Sequence, residues 1–263
     1  MIWRDIQSIR KENPLVLNIT NYVVMNSTAN ALLAIGAAPV MAHAIEEIEE
    51  MTGIARALVI NIGTLSAAWI EAMLKAGEAA RRRKIPVILD PVGCGATRFR
   101  TLTARKLIEA TAPAVIRGNA SEIRSLLDSE AGTRGVDSQH LPDEVLEHAR
   151  ALSKTAGCVV SVSGPEDLIV EGDQVVRVAN GHPLMTKVTG MGCTASAITG
   201  AFAAVNPSAF KAAAHAMAVM GIAGEQAAER SAGPGSFQVQ FLDALYCLQE
   251  SAIAQRLKMR AAA

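Results

Sequence analysis

Short apolar segments alternate along the chain with longer segments in which apolar and polar residues recur at a helical period. The apolar segments are rich in Val and Ile and lie at residues 15–20, 38–43, 57–63, 86–92, 114–119 and 158–164. Most are apolar throughout, as strands covered on both faces are. Helical patterns lie between them, for example at residues 66–83, 101–111 and 142–156. The alternation predicts an α/β fold, with a mostly parallel sheet and right-handed crossovers.

The pattern changes near the end of the sixth segment. Residues 167–181 predict two strands joined by a Glu-Gly-Asp turn, which together form a hairpin. Three helical segments follow, at about 192–205, 208–230 and 236–258, and Gly233-Pro234-Gly235 separates the last two. The chain contains no obvious linker, repeat or low-complexity segment, so residues 1–263 are expected to form one domain with a frayed Ala-Ala-Ala tail.

Composition and charge then exclude several classes of protein. Lys plus Arg and Asp plus Glu are both 25, so the charge balance gives no argument for a nucleic-acid or anionic-membrane partner. The longest apolar stretches are shorter than the roughly 20 residues that span a bilayer, and the charged start does not resemble a secretory signal. The four cysteines form no CxxC pair and the five histidines no metal-binding cluster. We expect a cytoplasmic protein with reduced thiols.

Candidate functional residues follow the predicted strands, because open α/β sheets bind ligands at the carboxyl ends of their strands. In chain order they are Asn21, Met41 and His43, Gly63 and Thr64, Asp90, the segment 117–122, Ser163 and Gly164, and the segment 190–193.

A glycine turn, Thr189-Gly-Met-Gly-Cys193, precedes an alanine-rich helix. The backbone N–H groups of such a turn and of the helix start can bind an anion, and the helix dipole adds roughly half a positive charge. A phosphoryl group in transfer suits this site. The alternative is that Gly190 and Gly192 only allow the helix to approach the sheet, and the turn alone does not decide between the two.

Two acidic residues lie near the same predicted edge. Asp90 ends a strand, where a carboxylate can bind Mg²⁺ or close a loop by hydrogen bonding. Glu122 follows Asn119 at the spacing of a capping box, a structural role that is compatible with a metal-water contact. Two acids from neighbouring strand ends fit a Mg-nucleotide site better than two unrelated caps.

Cys193 admits three interpretations: an inert buried residue, a nucleophile with a base, or a residue that orients the attacking hydroxyl. No histidine is placed beside it by a motif, which weakens the second. The helix start is expected to lower the pKa of its thiol, and a bound polyphosphate to oppose that effect.

These motifs, in this order, resemble the hydroxyethylthiazole kinases, which are ribokinase-like enzymes of thiamine biosynthesis and salvage. The matching segments are residues 14–44, 61–65, 87–101, 116–123, 134–138, 184–193 and 233–237. The resemblance implies a three-layer ribokinase-like fold and phosphorylation of the hydroxyl of 4-methyl-5-(2-hydroxyethyl)thiazole by ATP with Mg²⁺. It also implies a homotrimer with active sites at the subunit interfaces.

The resemblance also implies roles for individual residues. Thiazole contacts fall on Asn21, Val23, Met41, Gly190 and Cys193, nucleotide contacts on Arg117 and Ser163, and metal and phosphate roles on Asp90 and Glu122. Cys193, with Gly190 and Gly192, would form the catalytic turn. Many ribokinase-like enzymes carry aspartate at the position of Cys193, and a loose phosphoryl-transfer transition state can proceed with a weaker base.

Three other functions stay open at this point. A ribokinase-like kinase for another vitamin precursor, such as hydroxymethylpyrimidine, is the nearest, although Asn21, Met41 and Cys193 argue against it. A non-catalytic ATP-sensing oligomer and a thiol hydrolase that uses Cys193 covalently belong to other classes.

Overall fold

The computed structural model describes residues 1–127 and 142–262 of the chain. The strands are β1 (Leu15–Ile19), β2 (Ala38–Met41), β3 (Ala57–Asn61), β4 (Val87–Asp90), β5 (Val115–Asn119), β6 (Val159–Ser163), β7 (Asp167–Glu171), β8 (Gln174–Val178) and β9 (Met259–Ala262). The helices are α1 (Ile2–Glu12), α2 (Met25–Ile35), α3 (Ile48–Ile54), α4 (Ala67–Arg83), α5 (Arg98–Thr111), α6 (Ala120–Leu127), α7 (Pro142–Ala156), α8 (Met191–Ala203), α9 (Ala209–Glu229), α10 (Pro234–Tyr246) and α11 (Glu250–Arg256). A short 3-10 helix spans Pro183–Lys187.

Within the described residues, the strands form one sheet in the order β2-β1-β3-β4-β5-β6-β7-β8-β9. The strands from β2 to β6 in this order run parallel, and β7, β8 and β9 are antiparallel to their neighbours. All six predicted strands and the predicted hairpin are therefore confirmed. The parallel strands end at one edge of the sheet, which places the loops that follow them side by side.

Helices cover both faces of this sheet and produce two apolar cores. One core packs α1, α2, α8, α9, α10 and α11 against one face, and the other packs α3 to α7 against the opposite face. Successive strand residues alternate between the cores: in β3, Leu58 belongs to the second core and Val59 to the first. This alternation explains why the parallel strands are apolar throughout. The expected α/β class and helical layers are confirmed.

The structure corrects two expectations about the C-terminal segment. The helix expected at 236–258 is two helices, α10 and α11, because the chain turns after Tyr246 and buries Leu248. Arg10 stabilises this break, since its Nη2 donates to the carbonyl oxygens of Leu245, Tyr246 and Leu248 at 3.0–3.4 Å. The last carbonyl groups of a helix lack partners within the helix and need such donors. The tail is not frayed up to residue 262, because β9 pairs with β8.

Three helices were not predicted from the pattern, α1, α2 and α3, whereas the capping box of Asn119 and Glu122 indicated the start of α6. Residues 134–138, one of the segments that carry the family resemblance, lie outside the described residues. None of the helices within 1–127 and 142–262 combines the length and apolar character needed to cross a membrane.

Candidate functional site

Four polar side chains form a row across neighbouring strands at the carboxyl edge of the sheet. Asn61 of β3 is in register with Asp90 of β4, and Arg117 of β5 with Ser161 of β6. All four are buried, with at most 6% of each residue exposed. Each lies two positions after a residue of the core beneath α8 and α9, so the row faces those helices. A buried polar row directly before the loops indicates a site rather than a core.

Asp90 is held in this row by two hydrogen bonds to one of its carboxylate oxygens. Oδ2 accepts from Nδ2 of Asn61 at 2.8 Å and from Oγ of Ser196 on α8 at 2.7 Å. Burial raises the pKa of Asp90 to about 6, and the charge of Glu122 adds to this, while Arg117 and the two hydrogen bonds oppose it. The carboxylate is therefore costly to ionise and gains from any added positive charge.

Glu122 forms the predicted capping box and a further contact. The N–H of Glu122 donates to Oδ1 of Asn119 at 2.9 Å, and the N–H of Asn119 donates to Oε2 of Glu122 at 2.8 Å. Oε1 of Glu122 accepts from the N–H of Gly93 at 2.8 Å. The cap thus fixes the loop after β4 against the start of α6. Glu122 also lies close enough to Asp90 for its negative charge to raise the pKa of Asp90.

The glycine turn lies between the start of α2 and the buried guanidinium of Arg117. Gly190 has φ 80° and is the N-cap of α8, and a Cβ there would lie 2.6 Å from Cγ1 of Val24. A Cβ at Gly192 would lie 2.8 Å from Nη1 of Arg117. Gly190 is required by its positive φ and by its close approach to Val24, whereas a Cβ at Gly192 would displace the end of the Arg117 side chain. The first N–H groups of α8 have no acceptor within the helix and remain available to a ligand.

Cys193 is the last residue of this turn and contacts Asn21 in the loop after β1. Its Sγ accepts a hydrogen bond from Nδ2 of Asn21 at 3.5 Å. Burial raises the pKa of the thiol to about 11, and the charge of Asp90 raises it further. The expectation that the helix start lowers this pKa is therefore wrong, because burial and the nearby carboxylate outweigh the helix dipole. The thiol is protonated at neutral pH.

Asn21 is buried behind that thiol and does not cap α2, whose first residue is Met25. Its Nδ2 donates to Oδ1 of Asn61 at 2.8 Å, and its Oδ1 accepts from the N–H of Val23 at 3.1 Å. The structure therefore brings Asn21, Cys193 and the row together. The Val23 side chain is exposed, and half-buried Met41 ends the edge strand β2.

A cavity of about 710 Å³ opens beside the turn, and Asn21 and Cys193 are not among the residues that line it. Arg117, Ser163, Asp167, Gly190 and Gly192 line it, with further walls from the segment 180–191 and from α9. Nε of Arg117 has no hydrogen-bond partner among the residues that the structure describes. A buried guanidinium with an unused donor, in a cavity of a size that suits a small ligand, indicates an anion-binding site.

Sequence reasoning missed five residues of this site: Asn61, Arg100, Ser161, Asp167 and Ser196. Arg100 donates to the carbonyl oxygens of Ile62, Gly63 and Val92, and so joins the loops after β3 and β4. Asp167 accepts from the N–H of Gly164 at 3.0 Å, and burial raises its pKa to about 6. The polar end of an otherwise apolar strand was an available signal for Asn61. Arg100, Asp167 and Ser196 lie within helix or hairpin patterns that gave none.

The carboxylates can contribute to a metal site only together with other ligands. No group of three or more His, Cys, Asp or Glu side chains suited to a metal occurs in the described part of the chain. Asp167 lines the cavity at the start of β7, and Asp90 and Glu122 are the pair of acids that end or follow β4 and β5. Magnesium in phosphoryl-transfer sites is commonly held by one or two carboxylates and by substrate phosphates, so the pair fits that mode and not an all-protein cage.

Comparisons with known proteins agree on one family. The model of the hydroxyethylthiazole kinase family matches residues 6–251. A hydroxyethylthiazole kinase of Syntrophus aciditrophicus is 59% identical over 258 residues, which is 98% of this chain and 96% of that protein. The solved structure of a hydroxyethylthiazole kinase from Pyrococcus horikoshii matches with a TM-score of 0.93 and 43% identity, covering 100% of this chain and 99% of that one. A pyridoxal kinase from Staphylococcus aureus, 18% identical, shares the fold with a TM-score of 0.60, over 81% of this chain and 88% of its own.

Proposed function

Because the chain belongs to the hydroxyethylthiazole kinase family, we propose that it transfers the terminal phosphoryl group of ATP to the hydroxyl of 4-methyl-5-(2-hydroxyethyl)thiazole. The name of the family places this reaction in thiamine biosynthesis. The high identity extends over nearly the whole chain, and the polar residues of the motifs are present in one buried edge of the sheet.

One observation supports the arrangement of the two substrates. Gly190 and Gly192 of the turn line the cavity that contains Arg117, whereas Cys193 at the end of the turn contacts Asn21, which does not line that cavity. We place ATP in the cavity, with Arg117 and Ser163 as its contacts, and the thiazole alcohol beside Asn21, Val23, Met41, Gly190 and Cys193. The N–H groups of the turn then bind the phosphoryl group during transfer, where negative charge develops on its oxygens.

Mg²⁺ is the proposed metal, and the donor set is compatible with it. Asp90 would hold it through the carboxylate, and Glu122 through water, because both Glu122 oxygens already accept backbone N–H groups. A divalent cation bound there neutralises charge on the phosphates and orients them. It also offsets the cost of ionising Asp90, which burial and Glu122 raise.

The role proposed for Cys193 is to position the hydroxyl. Its pKa of about 11 keeps the thiol protonated, so little thiolate is present to act as a base. A loose transition state for phosphoryl transfer needs alignment and charge neutralisation more than early removal of the proton. A thiol also packs against an apolar thiazole ring at lower cost than a carboxylate.

The remaining expectations concern the whole protein. A homotrimer with active sites at its interfaces is supported by exposed Tyr22 and Val23 beside Asn21, each 65% exposed in the single chain. A cytoplasmic location and a single domain over residues 1–263 remain predictions of the sequence.

The experiment is an ADP-release assay with ATP, Mg²⁺ and a panel of alcohols. The panel contains the thiazole alcohol, hydroxymethylpyrimidine and pyridoxal, each at a range of concentrations. We expect the thiazole alcohol to give the highest kcat/KM, and mass spectrometry to find its monophosphate. Preference for hydroxymethylpyrimidine would replace the proposal with the nearest alternative. ATP binding without turnover of any alcohol would favour the ATP-sensing function.

A further inference from the structure

Asn61 lies between the proposed metal side and the proposed alcohol side of the site. It ends β3 and is 1% exposed. Its Nδ2 donates to Oδ2 of Asp90 at 2.8 Å, and its Oδ1 accepts from Nδ2 of Asn21 at 2.8 Å. Oδ1 also accepts from the N–H of Gly63 at 2.9 Å. One buried amide thus connects the carboxylate to the residue that contacts the Cys193 thiol.

The chemistry of the neighbours permits only one orientation of this amide. The N–H of Gly63 can only donate, so Asn61 must present its Oδ1 there, and its NH₂ group then faces Asp90. Its oxygen then faces Asn21 and the N–H of Gly63, which are both donors. The reversed amide would place oxygen against carboxylate and NH₂ against two donors, leaving buried groups unpaired.

The orientation of the Asn61 amide determines the orientation of the Asn21 amide, and with it the contact between Asn21 and Cys193. Asn21 must also present its NH₂ group to Asn61, which leaves its Oδ1 for the N–H of Val23. The same NH₂ group reaches Sγ of Cys193 at 3.5 Å, so the sulfur acts as an acceptor there. A Cβ at Gly63 would lie 2.6 Å from Nδ2 of Asn21, so the loop leaves little room for another position of this side chain.

We propose that Asn61 is a positioning residue for the alcohol substrate, because it fixes the Asn21 amide, and through it the Cys193 thiol, relative to Asp90. The inference rests on the proposed function. With its sulfur already accepting from Asn21, the protonated thiol has its S–H free to donate to the oxygen of the alcohol. The nucleotide contacts Arg117 and Ser163 are outside this chain of hydrogen bonds.

A double-mutant cycle on kcat/KM for the thiazole alcohol tests this connection. Asn61→Ala and Asn21→Ala each break the same hydrogen bond, and each should lower kcat/KM by roughly 10- to 100-fold. The loss in the double variant should be clearly smaller than the product of the two single losses, because both substitutions remove the same hydrogen bond. KM for ATP should stay within about twofold of the wild-type value in Asn21→Ala, because that variant leaves the hydrogen bonds of Asp90 in place.

Asn18→Ala is the matched control. Asn18 is an equally buried asparagine, 1% exposed, on the neighbouring strand β1, and its Nδ2 donates to the carbonyl oxygen of Val16. Its loss should affect stability but leave KM for the thiazole alcohol near the wild-type value. Thermal unfolding of each variant identifies those that are folded. If Asn61→Ala does not fold, Asn61→Leu replaces it, because that variant keeps about the same volume but loses both the acceptor for Asn21 and the donor to Asp90.

Three results would overturn the proposal: an unchanged kcat/KM in a folded Asn61 variant, losses that multiply in the double variant, or an equal effect of Asn18→Ala on the thiazole KM. A wild-type protein that does not phosphorylate the thiazole alcohol overturns the proposed function instead. The two failures are therefore distinguishable.

Discussion

Asp167 provides a quantitative test of the electrostatics of the cavity. Burial raises its pKa to about 6 from an ordinary value of 3.8, although Gly164 and Arg117 oppose the shift. We consider Asp167→Asn, in which the amide oxygen can still accept the hydrogen bond from the N–H of Gly164. The substitution replaces a carboxyl group, which the folded protein has to ionise in a buried position, by a neutral amide.

The sign and size of the effect follow from linkage. The folded state holds the proton of Asp167 more tightly than the unfolded state, so this group lowers the free energy of unfolding as the pH rises from about 4 to about 6. Above that window the cost is constant at about 3 kcal/mol, because each pH unit corresponds to 1.36 kcal/mol. Asp167→Asn should therefore stabilise the ligand-free protein by up to about 3 kcal/mol at pH 8, and by less than about 1 kcal/mol at pH 4.

Urea unfolding of wild type and variant at pH 4, 5, 6, 7 and 8 measures this difference directly. Asp173→Asn is the control, since Asp173 lies on the same hairpin but is fully exposed and its pKa is lowered by Lys154. That variant should show no stabilisation at any pH. A stabilisation by Asp167→Asn that does not change with pH, or a loss of stability at pH 8, would refute the electrostatic account.

The remaining predictions concern the turn and the metal side. Gly192→Ala should raise KM for ATP with the fold intact by circular dichroism, because its Cβ would lie 2.8 Å from Nη1 of Arg117; an unchanged KM would mean that the guanidinium does not contact the nucleotide. Asp90→Ala should depress turnover and weaken the dependence of the rate on magnesium concentration, and an unchanged magnesium titration would remove Asp90 from the metal site. Cys193→Ala should lower kcat/KM for the thiazole alcohol with the fold intact, because it removes the S–H group that positions the hydroxyl; an unchanged kcat/KM in a folded variant would mean that the thiol does not position the alcohol.

The local pattern was sufficient for the strands, the hairpin and the capping box. Strands such as β3 and β6 are short, apolar runs, and their two-sided burial follows from that composition. The cap of Asn119 and Glu122 depends on residues three positions apart, and the glycine turn on residues within one motif. The family, too, was recognisable from motifs in their order, because each motif is a contiguous segment.

Only the tertiary structure decided the contacts between residues that are far apart in the chain. Arg10 pairs with carbonyl groups near residue 245, and β9 completes the sheet beside β8, although no local pattern predicts either pairing. The dependence on residues far apart in the chain also explains why the predicted lowering of the Cys193 pKa is wrong. Its helix start is visible in the sequence, but the burial and the Asp90 charge that raise its pKa come from other strands and helices. Asn61 gains its position between Asp90 and Asn21 in the same way. Periodicity and capping depend on residues that are close together in the chain, whereas burial and electrostatic interactions depend on residues that only the fold brings together. The sequence therefore determined most of the helices and strands, and the tertiary structure determined the chemistry of the site.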